Sequence, residues 1–383
     1  MKYRQELSVP FKYDVIFTHG VFEPGNDALA EVLDGSPAKA AFFVDDGLAA
    51  HWPNLPADIE KWCGLHKKNI LSACPVQLVG GGEKAKEDIS ILDRVGRLAA
   101  DCGLCRHSYI IIVGGGAVLD AVGFAASTIH RGLRQIRVPT TVLSQADSGV
   151  GVKNGLNRFG QKNYFGAFAP PKAVVCDTLF LETLSVRDWT GGLSEAFKVA
   201  IIKDREFFEY LDKNAGRLKD RELEIMEHVV KKTALLHLDH IRSGGDPFEE
   251  GSFRPLDFGH WAAHRLESMT AHALGHGEAV AIGLALDLHA AVELGFLKFT
   301  DNERILGAME RCGLALWHPA LEKRNAAGLL EVIAGLEQFR EHLGGELSLA
   351  MPNGLGAKTE IRSLAPGTVE RAVKFLKERA GCV

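Results

Sequence analysis

The 383-residue sequence lacks the features that mark an exported, membrane-bound or nucleic-acid-binding chain. It has no block of lysine or arginine able to neutralise a run of phosphates, and its formal net charge is −5, so no nucleic acid is expected as a partner. It has no unbroken apolar stretch of membrane-spanning length. The most apolar segment, Tyr109 to Ile129, is interrupted by Gly114, Gly115, Gly116 and Asp120, so no membrane is expected either. The first fifteen residues carry Lys2, Arg4, Glu6, Lys12 and Asp14 in place of a signal peptide's apolar centre, and a cytoplasmic location is expected. The seven cysteines form no repeating framework and suit free thiols. Cys102 and Cys105 make a lone CxxC, without the second pair or the histidines that a zinc site needs.

What is present is an ordinary globular balance, 46% hydrophobic and 24% charged, with a length that implies two or three domains. Up to about residue 178, short apolar runs close on Gly, Asp or Pro: Ala40 to Val44, Val76 to Val79, Tyr109 to Val113, Ile136 to Val138 and Ala173 to Val175. These read as buried strands, alternating with helical patterns such as Glu87 to Ala100. From Val186 onward, long periodic segments such as Glu222 to His237 and Glu278 to Leu294 read as helices. The expected fold class is α/β plus all-α: a Rossmann-like α/β domain over residues 1–180 with a parallel sheet, then a helical domain over residues 181–383.

Three segments carry candidate chemistry. In Tyr109 to Asp120 an apolar strand runs into Gly114, Gly115 and Gly116 and then a helix, so that backbone N–H groups could meet a pyrophosphate at the helix start. The spacing is not GxGxxG, and a tight structural turn reads equally well. Asp45 ends an earlier strand, where an acid can accept ribose hydroxyls, and Glu83 and Lys86 follow another. The second segment runs from Pro139 through Asp147 and Lys153 to Asn157, then Lys162, Asn163 and Gly166 to Pro170; it reads as a glycine-rich loop able to hold a phosphorylated, hydroxylated ligand. The third set is Glu195, His260, His264 and His276. His260 and His264 lie four apart on one helix face, and two imidazoles plus a carboxylate can make a three-ligand zinc site with an open position. A histidine pair at this spacing is also common without any metal.

Taken together, Gly114-Gly-Gly-Ala-Val-Leu-Asp120, Pro139-Thr-Thr, Asp147-Ser-Gly-Val-Gly-Val-Lys153, Lys162-Asn163, Glu195-Ala-Phe-Lys198, Gly259-His260 and His276-Gly-Glu-Ala-Val280 resemble the sugar phosphate cyclases, whose best-known member is 3-dehydroquinate synthase. The resemblance implies an N-terminal NAD-binding domain, a C-terminal metal-binding domain, a divalent metal (zinc, with cobalt as alternative), a sugar phosphate substrate and a homodimer. Position by position, it makes Glu195, His260 and His276 the metal ligands and assigns His264 to the substrate phosphate. It sets NAD against Asp45, Glu83, Lys86, Gly114, Gly115, Gly116, Asp120, Thr140, Thr141, Lys162, Phe180 and Thr183. It gives the substrate Asp147, Lys153, Asn163, Lys198, Arg254 and Asp257, with Arg131 reaching the neighbouring subunit's phosphate.

In such cyclases NAD+ transiently oxidises a ring hydroxyl, phosphate leaves by β-elimination, the hydride returns, and an intramolecular aldol closes a carbocycle. The chain departs from the dehydroquinate synthase pattern in places. Asp257 stands where Asn is expected, in a motif one residue shorter, and resembles the sedoheptulose phosphate cyclases in this. His264 is kept where those enzymes have proline. The lysine that grips the substrate carboxylate has no secure match near Lys232, and the usual Asp-Lys-Lys near the C-terminus is Phe339-Arg340-Glu341, which leaves Arg340 as a candidate phosphate ligand. The expected activity is therefore cyclisation of a seven-carbon keto-sugar phosphate, with authentic 3-dehydroquinate synthase, a metal-dependent polyol dehydrogenase and a non-catalytic relic of the fold as rivals.

Overall fold

The computed structural model describes all residues except 35–36, 245, 249–253 and 382–383. The chain forms two compact units, one of Met1–Thr140 with Gly151–Leu179, the other of Thr141–Val150 with Phe180–Val383.

The first unit is built on a seven-stranded sheet. Its strands are β1 (Asp14–Thr18), β2 (Ala38–Asp45), β3 (Ile70–Ser72), β4 (Gln77–Val79), β5 (Tyr109–Gly114) and β6 (Arg134–Pro139), while β7 (Lys153–Arg158) and β8 (Gln161–Phe168) form a separate hairpin before β9 (Ala173–Asp177). The order is β1-β9-β6-β5-β2-β3, with β4 beside β2 beyond the end of β3, and every pairing is parallel. The apolar runs expected as strands are strands because both faces are covered: Ala40 to Val44 and Tyr109 to Val113 are wholly buried. The helix Ser90–Asp101 lays Ile91, Val95 and Ala99 on one face, and Gly116–Thr128 packs its Val118, Val122 and Ala125 into the same core.

Register brings Asp45 level with Val79, and Gly114 level with Pro139, while Val44 pairs with Val113. Asp45, Gly114 and Thr140 therefore share the carboxyl edge of the sheet, where open α/β sheets bind ligands. Of the segment expected as a glycine-rich loop, Ser144–Ser148 is a turn of π-helix and the part from Lys153 to Phe168 is the β7–β8 hairpin. Phe159 and Gly160 turn it with φ of 54° and 71°, as a two-residue hairpin turn requires. Gly155 permits the pairing, since a Cβ there would lie 2.8 Å from the Phe165 carbonyl oxygen.

In the second unit the helices Leu193–Lys203, Leu223–Ser243, His260–Met269 and His276–Glu293 surround the candidate site, and a two-stranded hairpin of β10 (Leu349–Pro352) and β11 (Lys358–Ile361) packs among them. The helix His276–Glu293 is buried nearly all round. Two glycines let it approach neighbouring backbone: a Cβ on Gly277 would stand 2.2 Å from the Gly191 oxygen, and one on Gly283 2.0 Å from the Gly259 oxygen. Among the described residues no helix is long and apolar enough to cross a membrane.

Gly283→Ala forces the Gly259 backbone aside and is expected to cost about 1–3 kcal/mol, as overpacking does. Gly96→Ala, on a helix where a Cβ meets nothing within 4 Å, is expected to stabilise by about 0.5–1 kcal/mol. Urea unfolding of the two variants measures this contrast, and equal effects would contradict it.

Candidate active site

In the helical unit the site begins with Leu193–Lys203, a helix buried from Leu193 to Ile202. Glu195 and Lys198 lie one turn apart on it, and both are at most 2% exposed. The Lys198 ammonium pairs with Glu195 and, at 3.0 Å, with Asp147 Oδ2. Asp147 sits in a π-helical turn, Ser144–Ser148, closed by the Gly149 N–H on the Ser144 carbonyl at 2.8 Å. Burial pushes the Glu195 carboxyl well above its usual range, with Lys198 opposing. Burial also pushes Asp147 upward, but His237 and Lys198 outweigh it and hold that carboxyl well below its usual range. Burial opposes charge on Lys198, and the two carboxylates overcome it and hold its pKa above normal.

His260 opens the helix His260–Met269, behind Gly259 at φ 80°. Its Nδ1 lies 3.0 Å from the Phe258 carbonyl oxygen, which takes the N–H and turns Nε2 toward Glu195 Oε1, 3.6 Å away. His276, at the start of its helix, brings Nε2 to 3.8 Å from the same oxygen. Burial first, then the positive Lys198 and the neighbouring His264 and His276, push the His260 pKa well below normal and keep the ring neutral, as a ligand must be.

These residues fit a divalent ion. The three donor atoms lie within 4.8 Å of one another, and ligands of a tetrahedral ion about 2.1 Å from the metal lie about 3.4 Å apart. The gaps of 3.6 and 3.8 Å are too long for hydrogen bonds. Neither buried oxygen of Glu195 completes a hydrogen bond of good geometry among the described residues. A cation satisfies all three donors at once. A second group, His264, Glu267 and His276, overlaps the first. His264 stacks on His276 at 27° and meets His260 edge-on. Arg254 and Asp257 occupy the short turn just before His260, both partly exposed.

The α/β unit gathers most of the remaining expected residues into one polar cluster. Lys86, buried, donates to Asp120 Oδ2 at 2.7 Å and to Asn163 Oδ1. Glu83 accepts from Asn157 Nδ2 at 2.6 Å and lies 3.5 Å from Lys162 Nζ. Asn163 adopts φ 53°, held by its N–H on Asn157 Oδ1. At the sheet edge, Thr140 is buried with its N–H on the Gly114 oxygen. Asp45 ends β2, and its Oδ1 caps the N–H groups of Gly47 and Leu48. Gly114 is a place of close approach, with an added Cβ only 3.0 Å from the Asp45 Cβ, while Gly115 has an ordinary φ of −72° and caps the helix that starts at Gly116.

Lys153 and Arg131 are exposed on the α/β unit. Thr141, Phe180 and Thr183 belong to the helical unit, where Thr141 Oγ1 bonds Ser144 and Thr183 Oγ1 bonds the Phe180 carbonyl. Lys232 and Arg340 do not join either cluster: Lys232 pairs with Asp204 at 2.7 Å, and Arg340 with Glu337 on the surface.

Three residues escaped sequence reading. His237 places Nδ1 3.3 Å from Asp147 Oδ1. It continues the buried stripe of Met226, Val230 and Thr233, and a histidine in such a stripe was the available signal. Glu267, seven after His260 and so on its face, lies 3.3 Å from His276 Nδ1. Asp287, buried, accepts the Gly259 backbone N–H at 2.9 Å and the Trp261 indole Nε1–H at 2.8 Å, tying down the backbone before His260 and the side chain after it.

The description "3-dehydroquinate synthase N-terminal" matches residues 76–191 and "3-dehydroquinate synthase C-terminal" residues 192–336. A 2-epi-5-epi-valiolone synthase of Streptomyces glaucescens is 34% identical over 97% of this chain and 92% of its own length. A 3-dehydroquinate synthase of Caldanaerobacter subterraneus is 36% identical over 78% of this chain and 81% of its own. The solved 2-epi-5-epi-valiolone synthase from Streptomyces hygroscopicus, with NAD+ and Zn2+ bound, superposes with a TM-score of 0.87 at 26% identity, covering 98% of this chain and all of the other. Glycerol dehydrogenase from Schizosaccharomyces pombe shares the fold alone, at 16% identity and a TM-score of 0.62. Fold and relatives define the class as the sugar phosphate cyclases. Within that class the chain belongs to the 3-dehydroquinate synthase family.

Burial raises the Asp287 carboxyl from its usual 3.8 to about 7. Between those values the folded chain holds a proton that the unfolded chain has released, so this group's stabilisation is complete below about pH 4 and lost as pH rises through about 7. Asp287→Asn removes the dependence. The stability of wild type relative to this variant, from urea unfolding, should fall as pH rises from about 5 to about 8; a constant difference would show that Asp287 titrates normally.

Proposed function

We propose that the chain is an NAD- and divalent-metal-dependent cyclase that converts a seven-carbon keto-sugar phosphate with a neutral head group, such as sedoheptulose 7-phosphate, into a carbocycle with loss of phosphate, and is not an authentic 3-dehydroquinate synthase. The observation that carries the cyclase reading is the convergence of Glu195, His260 and His276 beside the buried Lys198–Asp147 pair. A polyol dehydrogenase of the same fold has no need of that lysine. When bound, NAD would take up and return a hydride, and the metal would polarise a substrate oxygen.

In this reading residues 1–180 hold NAD through the sheet edge at Asp45, Gly114 and Thr140 and the cluster of Glu83, Lys86, Asp120 and Lys162; Thr141, Phe180 and Thr183 complete that set. Residues 181–383 hold the metal and most of the substrate. His237 and Lys198 together keep Asp147 ionised, in a form that accepts substrate hydroxyls. Lys153, Asn163, Arg254 and His264 hold the phosphate, which serves as its own base and so needs positioned donors more than a dedicated carboxylate. The arrangement is proposed to be a cytoplasmic homodimer, with exposed Arg131 serving the partner's phosphate. Buried free thiols at Cys63, Cys176 and Cys312 suit a reducing compartment.

The head group follows from Asp257. A substrate carboxylate about 4 Å from it would be repelled by roughly 4 kcal/mol at an effective dielectric of 20, about a thousandfold in affinity. A carboxylate accepts hydroxyl hydrogen bonds from a neutral sugar instead. Relatives aligned over nearly the whole chain include both valiolone synthases and 3-dehydroquinate synthases, so the choice rests on Asp257.

Metal-loaded protein with NAD+ is expected to release phosphate from sedoheptulose 7-phosphate with no net NADH. It should be at least about a hundredfold less efficient on the carboxylated precursor of dehydroquinate, a gap that Asp257→Asn narrows. Efficient turnover of the carboxylated substrate with sedoheptulose 7-phosphate inert would overturn the head-group reading. Stoichiometric NADH from a polyol would overturn the cyclase reading. His276→Ala should lose most of its metal, and full occupancy by elemental analysis would refute the ligand assignment.

A further inference from the structure

His276 stands between two carboxylates. Its Nε2 faces Glu195 Oε1 at 3.8 Å and its Nδ1 faces Glu267 Oε2 at 3.3 Å. A neutral imidazole has one N–H and one lone pair, so it can donate to one of these sides and present a ligand atom only to the other. Glu267 is almost wholly buried and, when ionised, only accepts. Two consecutive left-handed residues, Ala271 and His272, reverse the chain between Glu267 and His276 and bring them together nine residues apart.

We propose that Glu267 is a positioning residue for the metal: it takes the Nδ1–H of His276, fixes the lone pair on Nε2, and so selects the Glu195–His260–His276 group over the overlapping His264–Glu267–His276 group. The inference rests on the metal-binding part of the proposed function. It makes the two imidazoles equivalent, because the Phe258 carbonyl oxygen takes the Nδ1–H of His260 in the same way, at 3.0 Å. Both Nε2 atoms then face Glu195, and both rings are anchored from behind, as the outer partners of metal-bound histidines generally do. A metal in the overlapping group would require the opposite tautomer, with an N–H of His276 directed at Glu195 and the buried Glu195 carboxylate left without its ion.

The test uses the purified full chain without substrate, with Zn2+ or Co2+ alone as the probe. Glu267→Gln keeps the shape but weakens the acceptor, and its affinity for either ion, by competition with a chelator, should fall roughly 10- to 100-fold. One ion per chain should still bind, with a shifted visible Co2+ spectrum, while the melting of the metal-free protein stays close to wild type. Glu267→Asp, which restores the charge one methylene short, should recover part of the affinity and serves if the Gln variant does not fold. Unchanged affinity in the Gln variant, or in the Asp variant where only that one folds, overturns the proposal. So does a wild type that binds two ions of which Glu267→Gln loses one, since that would make Glu267 a direct ligand. Retention of full affinity by His260→Ala would instead refute the metal reading on which the inference stands.

Discussion

The helical unit depends on the balance of charge around the Lys198 ammonium. Burying a single carboxylate costs several kcal/mol unless an opposite charge accompanies it. Here Glu195 and Glu267 are buried and Asp147 is nearly so, yet Lys198 is the buried lysine among them. His260 stays neutral, so it adds no compensating charge. One ammonium shared between Asp147 and Glu195 does not serve both equally: Asp147 is held ionised, while burial still drives the Glu195 carboxyl well above its usual range. A divalent cation beside Glu195 would favour its ionised form, which is what suits the site to a metal. The close contacts at Gly277 and Gly283 hold the His276 helix against Gly191, just ahead of the Glu195 helix, and against Gly259, next to His260.

The α/β unit uses the same device at lower stakes. Lys86 is buried against Asp120 and Asn163, and Lys162 faces Glu83, so each cation lies beside an acid on the same face of the unit. Such pairs are preorganised: a ligand with hydroxyls and phosphates can exchange for one partner of a pair already held in place, without a side chain having to be ordered from solution. The parallel sheet sets where this happens. Register alone aligns Asp45, Gly114 and Thr140, and close approach at Gly114 keeps Asp45 against the strand end.

Five of the seven sheet strands and the two long helices were legible because burial on both faces, or along one stripe, writes itself into periodicity; the edge strands β1 and β3, only partly buried, were not. The glycine-rich segment was not, because a hairpin built on Gly155, Gly160 and Gly166 has no apolar alternation to read. Glu195, His260 and His276 were legible only through the joint pattern of motifs, since each is an isolated polar residue in a helical stretch. Their supports were invisible for the same reason without the help of a motif: Glu267, Asp287 and His237 act through contacts made across 9 to 90 positions of chain. Lys232 and Arg340 show the converse. A lysine or arginine near the right place in sequence still goes to its nearest acid, Asp204 and Glu337 respectively.

Asp257 and His264 pull the sequence reading in opposite directions, one resembling sedoheptulose phosphate cyclases and the other dehydroquinate synthases. Their surroundings separate the two signals. His264 stacks on His276 and meets His260 edge-on, so its ring helps to pack the imidazole cluster, and its replacement would disturb the ligands whatever the substrate. Asp257 lies on a short turn ahead of the helix, partly exposed. A residue bound into the scaffold is kept for the scaffold, whereas one at the end of a turn can change with the ligand at little structural cost. Between the two, Asp257 is the position on which the proposed head-group reading rests.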